Sequence, residues 1–136
     1  MADTTIADEL AVRGTIERYS DAVCRHDAAA IEALWAEDAR WSVPDMPELA
    51  EVKGRAAIME KFRAAQAFFP FTFLICVPGY IEIAQDRAVA RSYTTEIIRD
   101  RDGNTRRAAG VYEDVLARRN GRWLFTERVW RLLDAA

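Results

Sequence analysis

The chain has 136 residues, of which 51% are hydrophobic and 30% charged, and its net charge is -3. This length predicts one domain, residues 1–136, that buries its core without disulfides. The acidic balance argues against a nucleic-acid partner, and no apolar run is long enough to cross a membrane. With two separated cysteines and one histidine, we expect reduced thiols, no bound metal and no cofactor, in a soluble cytoplasmic protein.

The first part of the chain carries two helical patterns. Apolar residues recur every three or four positions between Ile6 and Val23, after the capping signal TIAD at residues 5–8, and predict a long first helix. Asp27 is a suitable N-cap for a second helix at residues 28–37. The inner face of that helix would carry Ile31, Leu34 and Trp35.

A loop and a third helix are predicted next. Residues 40–43 alternate like a short strand, and Pro44 and Pro47 then indicate a loop that closes at Gly54. We consider this loop a candidate lid. The third helix is expected at residues 56–67, with Ile58, Met59 and Phe62 facing inward.

The second half of the chain carries strand patterns. Residues 68–83 are apolar and aromatic but contain Pro70 and Pro78, so this strand is expected to be bent, bulged or at a sheet edge. Alternating runs at residues 88–98, 110–118 and 122–132 are separated by the hairpin signals Asp102-Gly103 and Asn120-Gly121. Helices followed by an antiparallel meander predict an α+β fold, with the helices on one face of the sheet.

The register of the hairpin at Asn120-Gly121 has two alternatives. A three-residue loop with a bulge places Asp114 on the face of Arg128, whereas a two-residue turn places Glu113 there. Because either Asp114 or Glu113 then opposes Glu127, like-charge repulsion does not choose between the registers.

Several short motifs occur in a characteristic order: YSDA at 19–22, ALWAEDARW at 33–41, KGRAAI at 53–58, RSY at 91–93 and NGRW at 120–123. Together they resemble the SnoaL-like branch of the nuclear transport factor two-like superfamily over nearly the whole chain. The resemblance implies a cone-like, curved antiparallel or mixed sheet wrapped around three N-terminal helices, with a largely apolar pocket. It also implies a homodimer formed through the outer sheet face.

Relatives in the resembled superfamily include scytalone dehydratase, ketosteroid isomerase and polyketide cyclases, and other members are non-catalytic. By this resemblance, Phe73 stands where dehydratase-like members carry a catalytic histidine, and Cys24 stands where they carry the aspartate. The second histidine of scytalone dehydratase would fall near Ser92. The usual His-Asp pair is therefore expected to be missing.

The resemblance favours an inner sheet face that carries both polar and aromatic residues. Facing the pocket would be Ser92, Thr94, Glu96, Tyr112, Asp114 and Trp130. Tyr19, Trp41 and Phe73 would extend an aromatic lining suited to a flat, apolar ligand. For Trp35 and Phe62, plain core packing is the preferred interpretation.

Two further residues with reactive side chains lie at the end of the first helix. His26 is expected on the surface, where a helix C-terminus favours a partial positive charge. Cys24 is expected to be a small buried hydrophobe, because a nucleophilic thiol needs a nearby cation or a helix N-terminus.

The leading chemical hypothesis concerns Asp114. If it faces the pocket, Asp114 could abstract a proton next to a carbonyl while Tyr112 or Arg128 stabilises the oxyanion. Arg128 could equally neutralise Asp114 in a structural ion pair. We therefore expect a pocket for a small apolar or aromatic molecule, with cofactor-free lyase, isomerase or cyclase chemistry. The alternatives are a non-catalytic ligand-binding or dimerisation module, and a structural subunit like the small subunit of aromatic-ring dioxygenases.

Overall fold

Helices precede most of the sheet in the computed structural model, which describes residues 5–136. The helices are α1 (Ile6–Cys24), α2 (Ala28–Glu32) and α3 (Arg55–Phe68). The strands are β1 (Trp35–Ser42), β2 (Val52–Lys53), β3 (Phe71–Ala84), β4 (Arg87–Arg99), β5 (Thr105–Arg119) and β6 (Arg122–Ala135). Their order in the curved sheet is β2-β1-β6-β5-β4-β3, and β1 and β6 are the parallel pair. The predicted α+β class, with a mixed sheet around three helices, is confirmed.

The two early helices begin where the sequence indicates. The Thr5 side chain accepts a hydrogen bond from the backbone N–H of Asp8 at 3.0 Å, and the Asp8 carboxylate accepts one from the Thr5 N–H. Asp27 caps α2 by accepting from the Ala30 N–H at 3.0 Å. These caps satisfy N–H groups that have no partner inside the helix.

Helix α2 ends at Glu32, so the prediction that it continues to residue 37 is wrong. Trp35 begins β1 instead and pairs with Phe125 of β6, while the Phe125 N–H donates to the Leu34 carbonyl at 2.9 Å. Pairing with β6 therefore overrides the helical periodicity of this segment. Trp35 is still fully buried, as expected for a core residue.

The hairpin between β5 and β6 combines features of both predicted registers. Asn120 and Gly121 form a two-residue turn with positive φ angles of 52° and 75°, and Arg119 pairs with Arg122. A bulge farther along β6 then leaves Thr126 unpaired. Beyond the bulge, Asp114 pairs with Arg128. The expectation that a two-residue turn places Glu113 on the face of Arg128 is therefore wrong.

Strand β3 is an edge strand with a bulge after Pro78, which confirms the prediction for this segment. Leu74 and Cys76 point inward and are buried, whereas Phe73 and Ile75 point outward. The expectation that Phe73 replaces a catalytic histidine inside the pocket is therefore wrong, because side chains alternate between the two faces of a strand. Phe73 is 39% exposed on the outer face.

Candidate functional site

A cavity of about 450 Å³ lies between the helices and the inner face of the sheet. Its walls are mostly apolar and include six aromatic side chains: Tyr19, Trp41, Phe62, Phe69, Tyr112 and Trp130. This volume and lining suit a small, flat, apolar molecule. Phe62, for which core packing was preferred, is part of the wall.

Glu96 provides a carboxyl group in this apolar cavity. It lies on β4, opposite Ala108 of β5, and no hydrogen bond to its carboxyl occurs within residues 5–136. Burial raises the pKa of Glu96, and the guanidinium of Arg106 opposes that rise. A carboxyl group of this kind is suited to taking up and returning a proton at a higher pH than an exposed glutamate is.

Two phenol rings line the cavity close to this carboxyl group. Tyr19 of α1 and Tyr112 of β5 meet edge to face, with ring centroids 6.2 Å apart. Burial raises the pKa of both phenols, and the charge of Glu96 contributes to each rise. The two hydroxyl groups therefore keep their protons at neutral pH and can donate hydrogen bonds.

Trp130 crosses the inner face from β6 towards β4. Its indole Nε1–H donates to the Thr94 hydroxyl at 3.0 Å. The ring can lie there because the residue beneath it is Gly110, where an added Cβ atom would come within 2.3 Å of the indole. Gly110 therefore sets the position of one cavity wall.

Asp114 and Arg128 form a buried ion pair behind the cavity wall. The Asp114 oxygens accept from Arg128 Nε at 2.7 Å and Nη2 at 3.0 Å, and both side chains have no exposed surface. The Arg128 guanidinium lies 3.6 Å from the ring centroid of Tyr112, 4.1 Å from that of Phe125 and 4.4 Å from that of Tyr19. Neither charged residue lines the cavity.

The surroundings of this pair favour two opposite charges. Burial raises the pKa of Asp114, and the charge of Arg128 opposes the rise. Because arginine does not lose its proton in proteins, a neutral Asp114 would leave Arg128 as a lone buried cation. Asp114 therefore has the geometry of the predicted structural ion pair, and a ligand in the cavity does not reach it as the expected catalytic base.

The sequence model of the protein family described as SnoaL-like domain matches residues 4–129 of this chain. The chain belongs to the SnoaL-like domain family. The predicted resemblance is thus confirmed, whereas no curated protein matches the chain.

Solved structures with the same fold as this SnoaL-like chain cover nearly all of it. A protein of Novosphingobium aromaticivorans, provisionally named a scytalone dehydratase, is 23% identical with a TM-score of 0.88, over 100% of this chain and 91% of that one. A type 2 hexachlorocyclohexane dehydrochlorinase is 15% identical with a TM-score of 0.86, over 96% of this chain and 88% of that one. At these identities the similarity establishes the cone fold.

Cys24, which the resemblance placed at the aspartate position of the pocket, and Ser92, which was predicted to face the pocket, do not line the cavity of this SnoaL-like domain. The Cys24 thiol donates to the Leu74 carbonyl at 3.3 Å and accepts from the Leu74 N–H at 3.2 Å. It thereby joins the end of α1 to the edge strand β3. Ser92 is fully buried beneath the inner face.

His26 lines the cavity, although its sequence position predicted a place on the surface. Its φ of 54° is left-handed, and the flanking bonds from the His26 N–H to the Val23 carbonyl and from the Asp27 N–H to the Ala22 carbonyl close the end of α1. Only two residues separate the end of α1 at Cys24 from the N-cap Asp27 of α2, and a left-handed residue is common where a helix ends. The short spacing between Cys24 and Asp27 was the sequence signal that His26 lies in a tight turn between two helices.

The segment predicted as a lid contributes Asp45, Met46 and Leu49 to the cavity wall, and Val43 just before it also lines the cavity. The Asp45 carboxylate accepts from the Leu132 N–H of β6 at 3.1 Å and joins this segment to the sheet. Within residues 5–136, no group of three or more His, Cys, Asp or Glu residues could hold a metal ion. None of the helices in that range is long and apolar enough to cross a membrane.

Proposed function

We propose that this protein binds a small, flat, mainly apolar carbonyl compound and catalyses proton transfer on it without a cofactor, as a lyase, isomerase or cyclase does. The observation that carries the proposal is Glu96, a half-buried carboxyl group in an aromatic cavity of about 450 Å³. Glu96 takes the role first assigned to Asp114. The names of two structures with this fold, a scytalone dehydratase and a hexachlorocyclohexane dehydrochlorinase, support a lyase class.

The proposed step uses three side chains of the cavity. The Glu96 carboxylate takes a proton from the carbon next to the carbonyl, and the C–H electron pair forms the C=C bond of an enolate. The carbonyl π electrons move to oxygen, where the phenols of Tyr19 and Tyr112 donate hydrogen bonds. Glu96 then returns its proton, either to the same carbon or to another atom of the enolate.

The experiment follows the exchange of the acidic C–H of 1-tetralone in D2O by NMR. We expect the protein to accelerate deuterium incorporation, Glu96→Gln to reduce the rate to that of buffer, and Tyr112→Phe to reduce it by about 10²-fold. The rate should rise with pH through the raised pKa of Glu96, because only the ionised carboxylate accepts a proton. Glu113→Gln, at an exposed position on the outer face, should exchange at the wild-type rate.

Tryptophan fluorescence measures binding of 1-tetralone independently of exchange, since Trp41 and Trp130 line the cavity. Exchange by Glu96→Gln at the wild-type rate would refute the role of Glu96. Binding by the wild-type protein without any exchange would instead support the second candidate, a non-catalytic ligand-binding module. That candidate is favoured by the absence of a second base hydrogen-bonded to Glu96 within residues 5–136.

We also propose that two copies of the chain associate through the outer sheet face. Strand β3 exposes Phe73, Ile75 and Val77 side by side with Tyr93 of β4, and an apolar patch of this kind commonly marks an interface. Light scattering after gel filtration should give the mass of a dimer, and Ile75→Arg should shift it to the mass of a monomer. A monomeric wild-type protein would contradict the proposal.

A further inference from the structure

Arg106 places a guanidinium at the mouth of the cavity. Arg106 of β5 pairs with Ile98 of β4, which lies two residues along the strand from Glu96. Both Arg106 and Ile98 line the cavity. The side chain is exposed and makes no ion pair within residues 5–136. Arg106 lies two residues along β5 from Ala108, which pairs with Glu96, and its charge opposes the rise in the pKa of the Glu96 carboxyl.

The other charged groups that line the cavity form no ion pair with Arg106 within residues 5–136. The carboxylate of Asp45 already accepts from the Leu132 N–H at 3.1 Å. Arg107 adds a second positive charge, and its backbone pairs with that of Ala136 at 3.1 and 3.0 Å. Glu96 lies two residues along β4 from Ile98, the partner of Arg106, and no ion pair joins the Glu96 and Arg106 side chains within residues 5–136. The cavity therefore combines a mainly apolar interior with a guanidinium that no carboxylate of residues 5–136 holds in an ion pair.

We propose that the ligand is an amphipathic carboxylate, whose flat apolar body fills the cavity and whose carboxylate binds Arg106 at the mouth. This inference rests on the proposed function and names the ligand class of the same cavity. A guanidinium presents two parallel N–H groups to a carboxylate, and the low polarity of the adjacent walls strengthens the bonds. The pairing also orients the ligand, because its charged end stays at the rim while its body extends towards Glu96.

The test compares 2-naphthoate with 2-naphthamide, two ligands of nearly equal shape that differ in charge. Binding is measured by tryptophan fluorescence. We expect the wild-type protein to bind 2-naphthoate about five- to tenfold more tightly than 2-naphthamide. Arg106→Gln should remove this preference without weakening the binding of 2-naphthamide. The control is Arg131→Gln, which removes the same charge from an exposed residue of β6 that does not line the cavity.

Each outcome has one meaning. Loss of the preference in Arg106→Gln, with retention in Arg131→Gln, supports the inference. Equal affinities for the two ligands, or a preference that survives Arg106→Gln, overturns it while leaving the proposed cavity function intact. Failure of the wild-type protein to bind either ligand while it binds 1-tetralone overturns this inference alone, and failure to bind 1-tetralone as well refutes the proposed cavity function with it.

Discussion

Replacing Gly110 with alanine is expected to lower the free energy of unfolding by about 2 to 3 kcal/mol, as overpacking of a well-packed interior does. The added methyl group would lie 2.3 Å from the indole of Trp130, whose ring also lines the cavity. The ring must move, and it then loses its hydrogen bond to the Thr94 hydroxyl. Urea denaturation measures the loss of stability, and the affinity for 1-tetralone measures the change in the wall.

Two further variants separate this effect from a general effect of alanine. Gly14→Ala lies within α1, where the new Cβ would meet only the flexible Arg18 guanidinium at 3.4 Å. We expect it to stabilise the protein by about 0.5 to 1 kcal/mol, because glycine is a poor helix former. Trp130→Leu should cost less in the Gly110→Ala background than in the wild type, since it removes the clashing ring. Equal costs in both backgrounds would show that Gly110 does not hold the position of Trp130.

Much of the fold follows from local patterns in the sequence. The capping box at Thr5, the cap at Asp27 and the turn at Asn120-Gly121 are all found where the sequence indicates them. Each depends on a few neighbouring residues whose side-chain chemistry or backbone freedom is decisive. The family resemblance then supplied the curvature of the sheet and its position around the three helices.

Features that depend on distant pairing could not be derived in the same way. The bulge at Thr126 decides that Asp114 faces Arg128, and nothing next to Thr126 in the sequence indicates it. Register along β3 decides whether Phe73 or Leu74 faces inward, and an error of one residue reverses the answer. Trp35 left the predicted helix because its partner Phe125 lies on a strand much later in the chain.

The choice between Glu96 and Asp114 also required the structure. Both are acids at inward-facing positions of neighbouring strands, so the alternation of side chains along a strand does not distinguish them. The rings of Tyr19 and Tyr112 lie over Arg128, and its partner Asp114 is fully buried as a result. Glu96 has no such cover and lines the cavity. Burial by other side chains, rather than strand position, therefore determined which acid a ligand can reach.

Replacing Asp114 with leucine is expected to destabilise the protein by about 3 to 5 kcal/mol, the largest loss among the variants considered. Arg128 would remain charged and buried among three aromatic rings without its bidentate partner. The exposed pair of Arg119 with Asp38, 2.6 Å apart, provides the matched control. Asp38→Leu should cost no more than about 1 kcal/mol, because water screens an exposed pair.

The double variant Asp114→Leu with Arg128→Met tests whether the pair is structural. Removing both charges leaves no lone buried ion, so we expect most of the stability lost in Asp114→Leu to return. Because neither residue lines the cavity, the double variant should also retain deuterium exchange of 1-tetralone within about tenfold of the wild-type rate. A stable double variant with exchange as slow as Glu96→Gln would restore Asp114 or Arg128 to the chemistry. Retained exchange would exclude both residues of the ion pair from the proton transfer and leave the pair to support the two phenol rings.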